Sequence, residues 1–370
     1  ETAHYNIISP LLMQAYNALL KKQLEKAGVD FAAFDLMHGL DELHQVDPNY
    51  QLERLALEYT ALNSTQKEAF STVSYEEFMA LEGCEPMQQE LLEFIEDFGH
   101  LSDSGNDFSY IPWRENPDLI MKMIKTNAEM VHEPVEKTRI EDIHIGFLPG
   151  YLLKIIYHRA RRYFLYREKI GSLYTFGYGL FRNYFLALGE RYVDRGMLNS
   201  TQDIFYLYLE QIRAAIKEPD RGQTFAEVIE ERKQEMEKYC HITPPTIIYG
   251  DTPLPVEEES GTILAGTPTS RGYYKGPARI VRGIEDFDKI QPGDVLVVPY
   301  SDVGWTPMYV KAGAVVAESG GMLSHSSIVA REYGIPAIVS VPAACKLLAE
   351  KVVTVDGYQG KVTIHDVSPV

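Results

Sequence analysis

The period of the hydrophobic pattern changes near Leu264, and that change limits what the chain can fold into. Before it, apolar residues recur every three or four positions, as in Leu55–Leu62, Gln88–Phe98 and Tyr151–Tyr166. That spacing lines one face of a helix. The strongly charged stretch Glu227–Tyr239 reads as an exposed helix closing this region. After Leu264 the apolar residues come in short β-branched runs separated by Gly and Pro: Ala278–Val281, Val295–Val298, Ala314–Ala317, Ala337–Val341, Val352–Val355 and Val362–Ile364. Such runs read as strands, Asp356-Gly357 as a turn between the last two, and Ser326–Tyr333 as a helix. Between the two textures lie His241-Ile242-Thr243-Pro244-Pro245, Pro253, Pro255 and Glu257-Glu258-Glu259. Prolines block helix continuation and clustered carboxylates stay solvated, so this segment reads as a linker suited to a hinge. The expected architecture is a mostly helical domain over 1–243, a Pro/Glu-rich linker over 244–263 and a compact α/β domain over 264–370.

A chain of 370 residues suffices for two or three domains with their own cores. Its formal net charge of −18 opposes non-specific binding to nucleic acid or anionic membranes, so neither is expected as a partner. Any site that handles phosphate must gather its positive potential locally. Cys84, Cys240 and Cys345 are far apart and form no Cys-x-x-Cys, so neither a zinc site nor a disulfide framework is expected. No apolar run reaches membrane-spanning length and no signal peptide is visible, which fits a reducing cytoplasm. The chain opens at Glu1 in what reads as the middle of a longer protein.

The segment with most chemical content is Glu318-Ser319-Gly320-Gly321-Met322-Leu323-Ser324-His325-Ser326-Ser327-Ile328-Val329-Ala330-Arg331-Glu332. Gly320 and Gly321 allow a tight turn and close approach of the backbone to a ligand. The helix that follows places His325 at its N-terminus, where free N–H groups and the dipole favour negative charge. A histidine so placed can carry a phosphoryl group as a covalent intermediate. A capping Ser beside a surface His would produce the same pair in an ordinary helix start.

The context decides for the first reading. Gly-Gly-x-x-Ser-His, the small and apolar residues after it, Ala330-Arg331-Glu332 and Gly334-Ile335-Pro336-Ala337 together resemble the phosphohistidine swivel domain of the phosphoenolpyruvate-utilising enzymes. The resemblance implies that His325 is the phosphorylated residue, within a loop containing Gly320, Gly321 and Ser324. The stretch Gly266–Gly272 with Lys275-Gly276-Pro277 is similar to the opening of that domain. Asp302-Val303-Gly304-Trp305-Thr306-Pro307 is similar to a segment of the family's rifampin-phosphotransferase branch, and it offers Thr306 and Asp302 to touch the phosphoryl group or orient His325.

Two helical segments resemble the same branch. One is Phe98-Gly99-His100 with Trp113-Arg114-Glu115-Asn116-Pro117, where Leu101 stands in place of the branch's usual Arg. His100 reads equally as a site residue or a core histidine. The other runs from Arg161-Arg162 through Arg167-Glu168-Lys169 to Asp203-Ile204-Phe205, and resembles the acceptor-binding helical domain. Arg162, Arg167 and Lys169 are its candidates for neutralising phosphoryl oxygens, against a solvated face with salt bridges. Aromatic residues are dense there and mostly core, though some can line a pocket for a bulky acceptor.

The sequence holds no Gly-rich phosphate loop with its lysine. By the resemblance, ATP and Mg2+ bind an ATP-grasp domain or subunit that is not in this chain. The implied activity is an ATP-dependent phosphotransferase of dikinase type, in which His325 passes the phosphoryl group to a hydroxyl of a small-molecule acceptor in the helical domain. A subunit of a phenylphosphate-synthase-like complex and a non-catalytic phosphocarrier or regulatory module stand as alternatives.

Overall fold

A computed structural model describes residues 2–29, 31, 34, 36, 47–104, 107–129, 138–217, 224–239, 248–249, 252–253, 262–322 and 324–365. The helices of the first half are α1 (Thr2–Lys26), α2 (Pro48–Ala61), α3 (Ser64–Thr72), α4 (Tyr75–Met79), α5 (Glu85–Phe98), α6 (Pro117–Glu129) and α7 (Phe147–Asp194), followed by α8 (Leu209–Lys217) and α9 (Ala226–Tyr239). Their starts follow local chemistry. Asp47 caps α2 through Asn49 N–H, with Pro48 at the first helical position, where its missing donor costs nothing. Asn63 with Gln66 and Ser74 with Glu77 form reciprocal capping boxes on α3 and α4. Of the linker expected over 244–263, the structure describes only the hairpin β1 (Ile248–Tyr249) with β2 (Thr252–Pro253) and residues 262–263; the rest lies outside the described residues.

The α/β region contains β3 (Ile263–Ala265), β4 (Thr267–Ser270), β5 (Tyr273–Ile280), β6 (Asp294–Val298), α10 (Thr306–Tyr309), β7 (Ala312–Ala317), α11 (His325–Glu332), β8 (Ala337–Val339), α12 (Ala344–Leu347), β9 (Val352–Asp356) and β10 (Lys361–His365). The strand order is β3-β10-β9-β5-β6-β7-β8-β4, with β5 to β8 parallel and the remaining pairs antiparallel. β3 and β4 sit at opposite ends of this order, yet only Gly266 separates them in sequence. The sheet therefore curls until its two ends meet in one bent strand. A side chain at Gly266 would collide with Val341, Ile338 and the Val339 carbonyl, which is why the bend carries glycine.

Both faces of the central strands are covered, so Val295–Val298 of β6 form an unbroken apolar run rather than an alternating one. Val295 and Val297 pack with Val316, Ile338, Val355 and Leu348. Leu296 and Val298, on the opposite face, join Val315, Ala317, Val329 and Val339. That second cluster continues without a break into α2, α5 and α6 through Leu52, Phe94, Phe98, Trp113 and Ile120. A smaller core joins α1 to the start of α7 through Leu20, Leu24, Leu153 and Ile156.

The chain divides into two compact units. One comprises residues 1–105, 112–175 and 259–370; the other comprises 106–111 and 176–258. The second unit has its own core of Tyr192, Met197, Ile204, Ile212 and Ile229. Within it the buried Arg182 guanidinium donates to the Phe108 and Ser109 carbonyls at 3.1 and 2.9 Å and lies over the Phe205 ring.

Candidate phosphohistidine site

His325 is the first residue of α11, as the sequence predicts. Gly320 adopts φ 126°, a region that favours glycine, and turns the chain into the loop. The Ser340 hydroxyl, itself at φ 56°, holds the Gly320 carbonyl at 2.7 Å. Ser324 occupies the N-cap position but makes no side-chain cap; its hydroxyl lies 3.0 Å from that of Ser327, which in turn donates to the Gly321 carbonyl at 2.7 Å. The loop is thus tied to the helix it precedes, while the Ser324 side chain caps none of the N–H groups at the start of α11.

The His325 Nε2 and the Thr306 hydroxyl are 2.7 Å apart. Thr306 is completely buried at the start of α10. Asp302, from the same expected group, bonds through its carbonyl to Trp305 N–H and thereby opens the turn that leads into α10. Tyr309, one helical turn beyond Thr306, places its ring edge-on to the imidazole with centroids 6.4 Å apart. The Tyr309 hydroxyl is buried beside Ser301 and Ser326, whose hydroxyls are 2.6 Å from each other. Burial pushes the Tyr309 phenol up to about 12, with the two serines opposing. Sequence reading missed Tyr309, Ser301 and Ser326. The signal for Tyr309 was its spacing of three from Thr306, which stacks the two on one helix face.

The imidazole retains some exposure but is closely surrounded. Burial pushes its pKa down to about 3, and the positive charge of Arg167 acts in the same direction. The ring is therefore neutral at physiological pH and keeps a lone pair on one nitrogen. Arg167 comes from α7, which meets α11 where Met13, Phe164 and Leu165 surround Ile328. Its guanidinium lies 2.9 Å from the Glu168 carboxylate, and burial raises the Glu168 pKa against that pairing.

The other expected acceptor-side residues are not gathered at the same point. Arg162 is exposed on α7; five residues from Arg167 is a turn of about 140° around a helix. Lys169, half-buried, is about 200° from Arg167 by the same geometry. His100 is buried, and its pKa is pushed down to about 4 by burial and then by Arg114. Leu101 is buried in the core shared with Trp113 and accepts the Trp113 N–H at its carbonyl. Arg331 is structural: it is mostly buried and donates to the Thr269 carbonyl at 3.0 Å. Among the described residues no group of His, Cys, Asp and Glu is arranged to hold a metal ion. No helix among them is long and apolar enough to cross a membrane.

A curled α/β domain that presents a histidine at a helix start, packed on a helical region, has the arrangement of a mobile carrier domain with its partner. Comparison with known proteins agrees. Residues 290–360 match the mobile domain of the PEP-utilising enzymes, and residues 3–168 match the fourth domain of rifampicin phosphotransferase. Both stretches are thus similar to domains of the PEP-utilising enzymes. It is 26% identical over 315 residues to rifampicin phosphotransferase of Bacillus cereus, covering 78% of this chain and 36% of that protein. An uncharacterized phosphotransferase of Bacillus subtilis, YvkC, is 29% identical over 74% of this chain and 36% of its own length. Chondramide synthase cmdD of Chondromyces crocatus is 31% identical over half of this chain and 5% of its own. The chain thus spans about a third of the length of the phosphotransferases it matches.

Proposed function

We propose that His325 carries a phosphoryl group from ATP, bound by an ATP-grasp domain or subunit with Mg2+, to a hydroxyl of a small molecule held by the helical region. The observation that carries this reading is the neutral His325 imidazole, its Nε2 against Thr306 and its ring near Arg167. A neutral imidazole nitrogen can attack the β-phosphorus of ATP with AMP as the leaving group, and release of the γ-phosphate to water then leaves one phosphoryl group on the nitrogen. Where the Thr306 hydroxyl donates to Nε2, the proton sits on Nδ1 and Nε2 offers the lone pair; where the hydroxyl accepts, Nε2 holds the proton and Nδ1 offers the lone pair. Once the phosphoryl group is attached, the N–H groups at the start of α11 and the Arg167 guanidinium supply positive potential for its oxygens. A carrier histidine splits one transfer between distant sites into two shorter ones. Gly320, Gly321 and Ser324 shape the loop, and Asp302 sets the turn that delivers Thr306.

The rifampicin phosphotransferases among the relatives support an acceptor with a sizeable apolar body. So does the apolar stripe that α7 exposes at Phe147, Leu148, Tyr151, Leu152 and Ile155. A cytoplasmic location and the domain limits 1–243, 244–263 and 264–370 belong to the same proposal. The test uses the full-length protein and ATP labelled at the β-phosphate. Acid-labile label should appear on the wild type and be absent from His325→Ala; label retained in that variant rejects the reading.

A further inference from the structure

Glycine is the poorest helix former after proline, so a glycine inside a helix normally marks a close approach that no side chain could allow. Gly189 of α7 is of that kind: a Cβ there would stand 2.5 Å from the Thr201 carbonyl oxygen. Gly171 is not. It lies in the middle of α7, is half-buried, and a Cβ added to it meets nothing within 4 Å. Packing therefore gives no reason for glycine at this position, and no other described residue uses the space over it.

This notch lies on a particular face of the helix. At about 100° per residue, Gly171 is about 40° around α7 from Arg167 and one turn further along, and Tyr174 is about 20° from Arg167 and two turns along. The three share one face in the order Arg167, Gly171, Tyr174. Long helical side chains lean towards the N-terminus. Arg167 does so: its guanidinium lies over the Phe164 ring, 5.7 Å from the centroid, and 3.9 Å from the Met13 sulfur. Phe164 and Met13 in turn pack on Ile328 of α11, the helix that carries His325. Arg167 thus leans away from Gly171, while the half-buried Tyr174, by the same rule, leans towards it and walls the far side. The floor between them is apolar. Gly171 contributes a bare Cα, and its carbonyl accepts the Thr175 hydroxyl at 3.2 Å.

We infer that Gly171 determines which acceptor the protein takes: a flat apolar ring lies on the bare backbone between Arg167 and Tyr174, with its hydroxyl towards Arg167. A ring gains an aromatic face from Tyr174 that a linear chain would leave unused. A polyol would find no hydrogen-bond partners on that floor. The inference rests on the reading that His325 hands its phosphoryl group to an acceptor in the helical region, and it narrows that acceptor to ring-bearing hydroxyl compounds. In the transfer the hydroxyl oxygen bonds to phosphorus as the N–P bond breaks. The bonding pair returns to the ring nitrogen of His325, and the hydroxyl proton leaves to water.

The experiment measures β-naphthol binding to the full-length protein by calorimetry, without ATP, against n-octanol as a linear alcohol and glucose as a polyol. The wild type should bind β-naphthol most tightly. Gly171→Leu fills the notch and should weaken β-naphthol binding on the order of tenfold, and Gly171→Ala should weaken it less. Leu173→Ala, at an exposed position about 120° around the helix from Arg167, should leave it unchanged. Both Gly171 variants should unfold at no lower denaturant concentration than the wild type, since leucine and alanine are better helix formers than glycine. Earlier unfolding shows that the space is already filled and overturns the inference. So do wild-type β-naphthol binding in Gly171→Leu, binding of n-octanol or glucose as tight as that of β-naphthol, and a wild type that binds no β-naphthol. Acid-labile label from ATP, measured on the same proteins, separates this inference from the functional one. Label on the wild type with β-naphthol binding that ignores Gly171 leaves phosphoryl carriage standing and sinks the notch; binding that depends on Gly171 without label does the reverse.

Discussion

Acidification should release His325 from its docked position before it unfolds the chain. In the packed site the imidazole pKa is pushed down to about 3, against an ordinary 6.5. Any state in which the ring reaches water binds a proton more readily, so protonation favours that state. The stabilisation is complete above pH 6.5, falls as pH drops below it, and is exhausted near pH 3. At pH 5 an ordinary histidine is about thirtyfold more protonated than not, which corresponds to about 2 kcal/mol lost relative to pH 8. His100 is buried neutral as well and contributes in the same direction, so the measurement must be a difference. In chemical denaturation at pH 8 and pH 5, the wild type should lose about 2 kcal/mol more than His325→Gln, which keeps His100 but cannot titrate at position 325. In parallel, the imidazole resonance of His325 followed by NMR should remain that of a neutral ring down to pH 5. Equal losses in the two proteins, or a His325 resonance that titrates near 6.5, would refute the packing argument.

Thr306→Val keeps the shape of a completely buried side chain but removes the hydroxyl at Nε2. Leaving a buried nitrogen without its partner costs about 1–3 kcal/mol, so His325 phosphorylation in the full-length protein should slow on the order of tenfold. An unchanged rate in a folded variant rejects the role. Arg167→Ala should slow phosphoryl transfer from His325 to the acceptor by on the order of 10- to 100-fold while leaving loading by ATP nearly unchanged; an equal fall in both half-reactions would make Arg167 structural. Asp103→Ala strands the Ile284 N–H in a partly buried contact. It should cost about 1–3 kcal/mol in denaturant unfolding, and a variant as stable as the wild type shows the contact to be dispensable.

Much of the site was legible because its parts are local. Gly320, Gly321, Ser324, His325 and the helix after them lie within a dozen residues, and spacing alone assigns the loop and the helix start. Thr306 was readable as a candidate, but its bond to Nε2 depends on α10 packing beside α11, which no sequence period encodes. Arg162 and Arg167 look like one cluster in sequence; rotation around α7 exposes the former and turns the latter towards His325. Strands β5 to β10 were visible as β-branched runs. The bent strand β3–β4 was not, since Thr267-Pro268-Thr269-Ser270 has little apolar content and takes its form from pairing with β8. The helical reading of Tyr151–Tyr166 fell short of α7, which continues through Gly171 and Gly177. An added Cβ at either glycine meets nothing within 4 Å, so these positions lack the packing that would have marked them as helix. Asp103 was invisible because its partner, Ile284, is about two hundred residues away.

The bent strand has a consequence for solubility. An open sheet ends in rows of unpaired backbone donors and acceptors that invite another chain to add a strand. A domain that leaves its resting contact would present such rows anew at each excursion. Because β3 and β4 close the sheet around Gly266, its two terminal strands are only three and four residues long. The closed sheet therefore offers almost no template for strand addition.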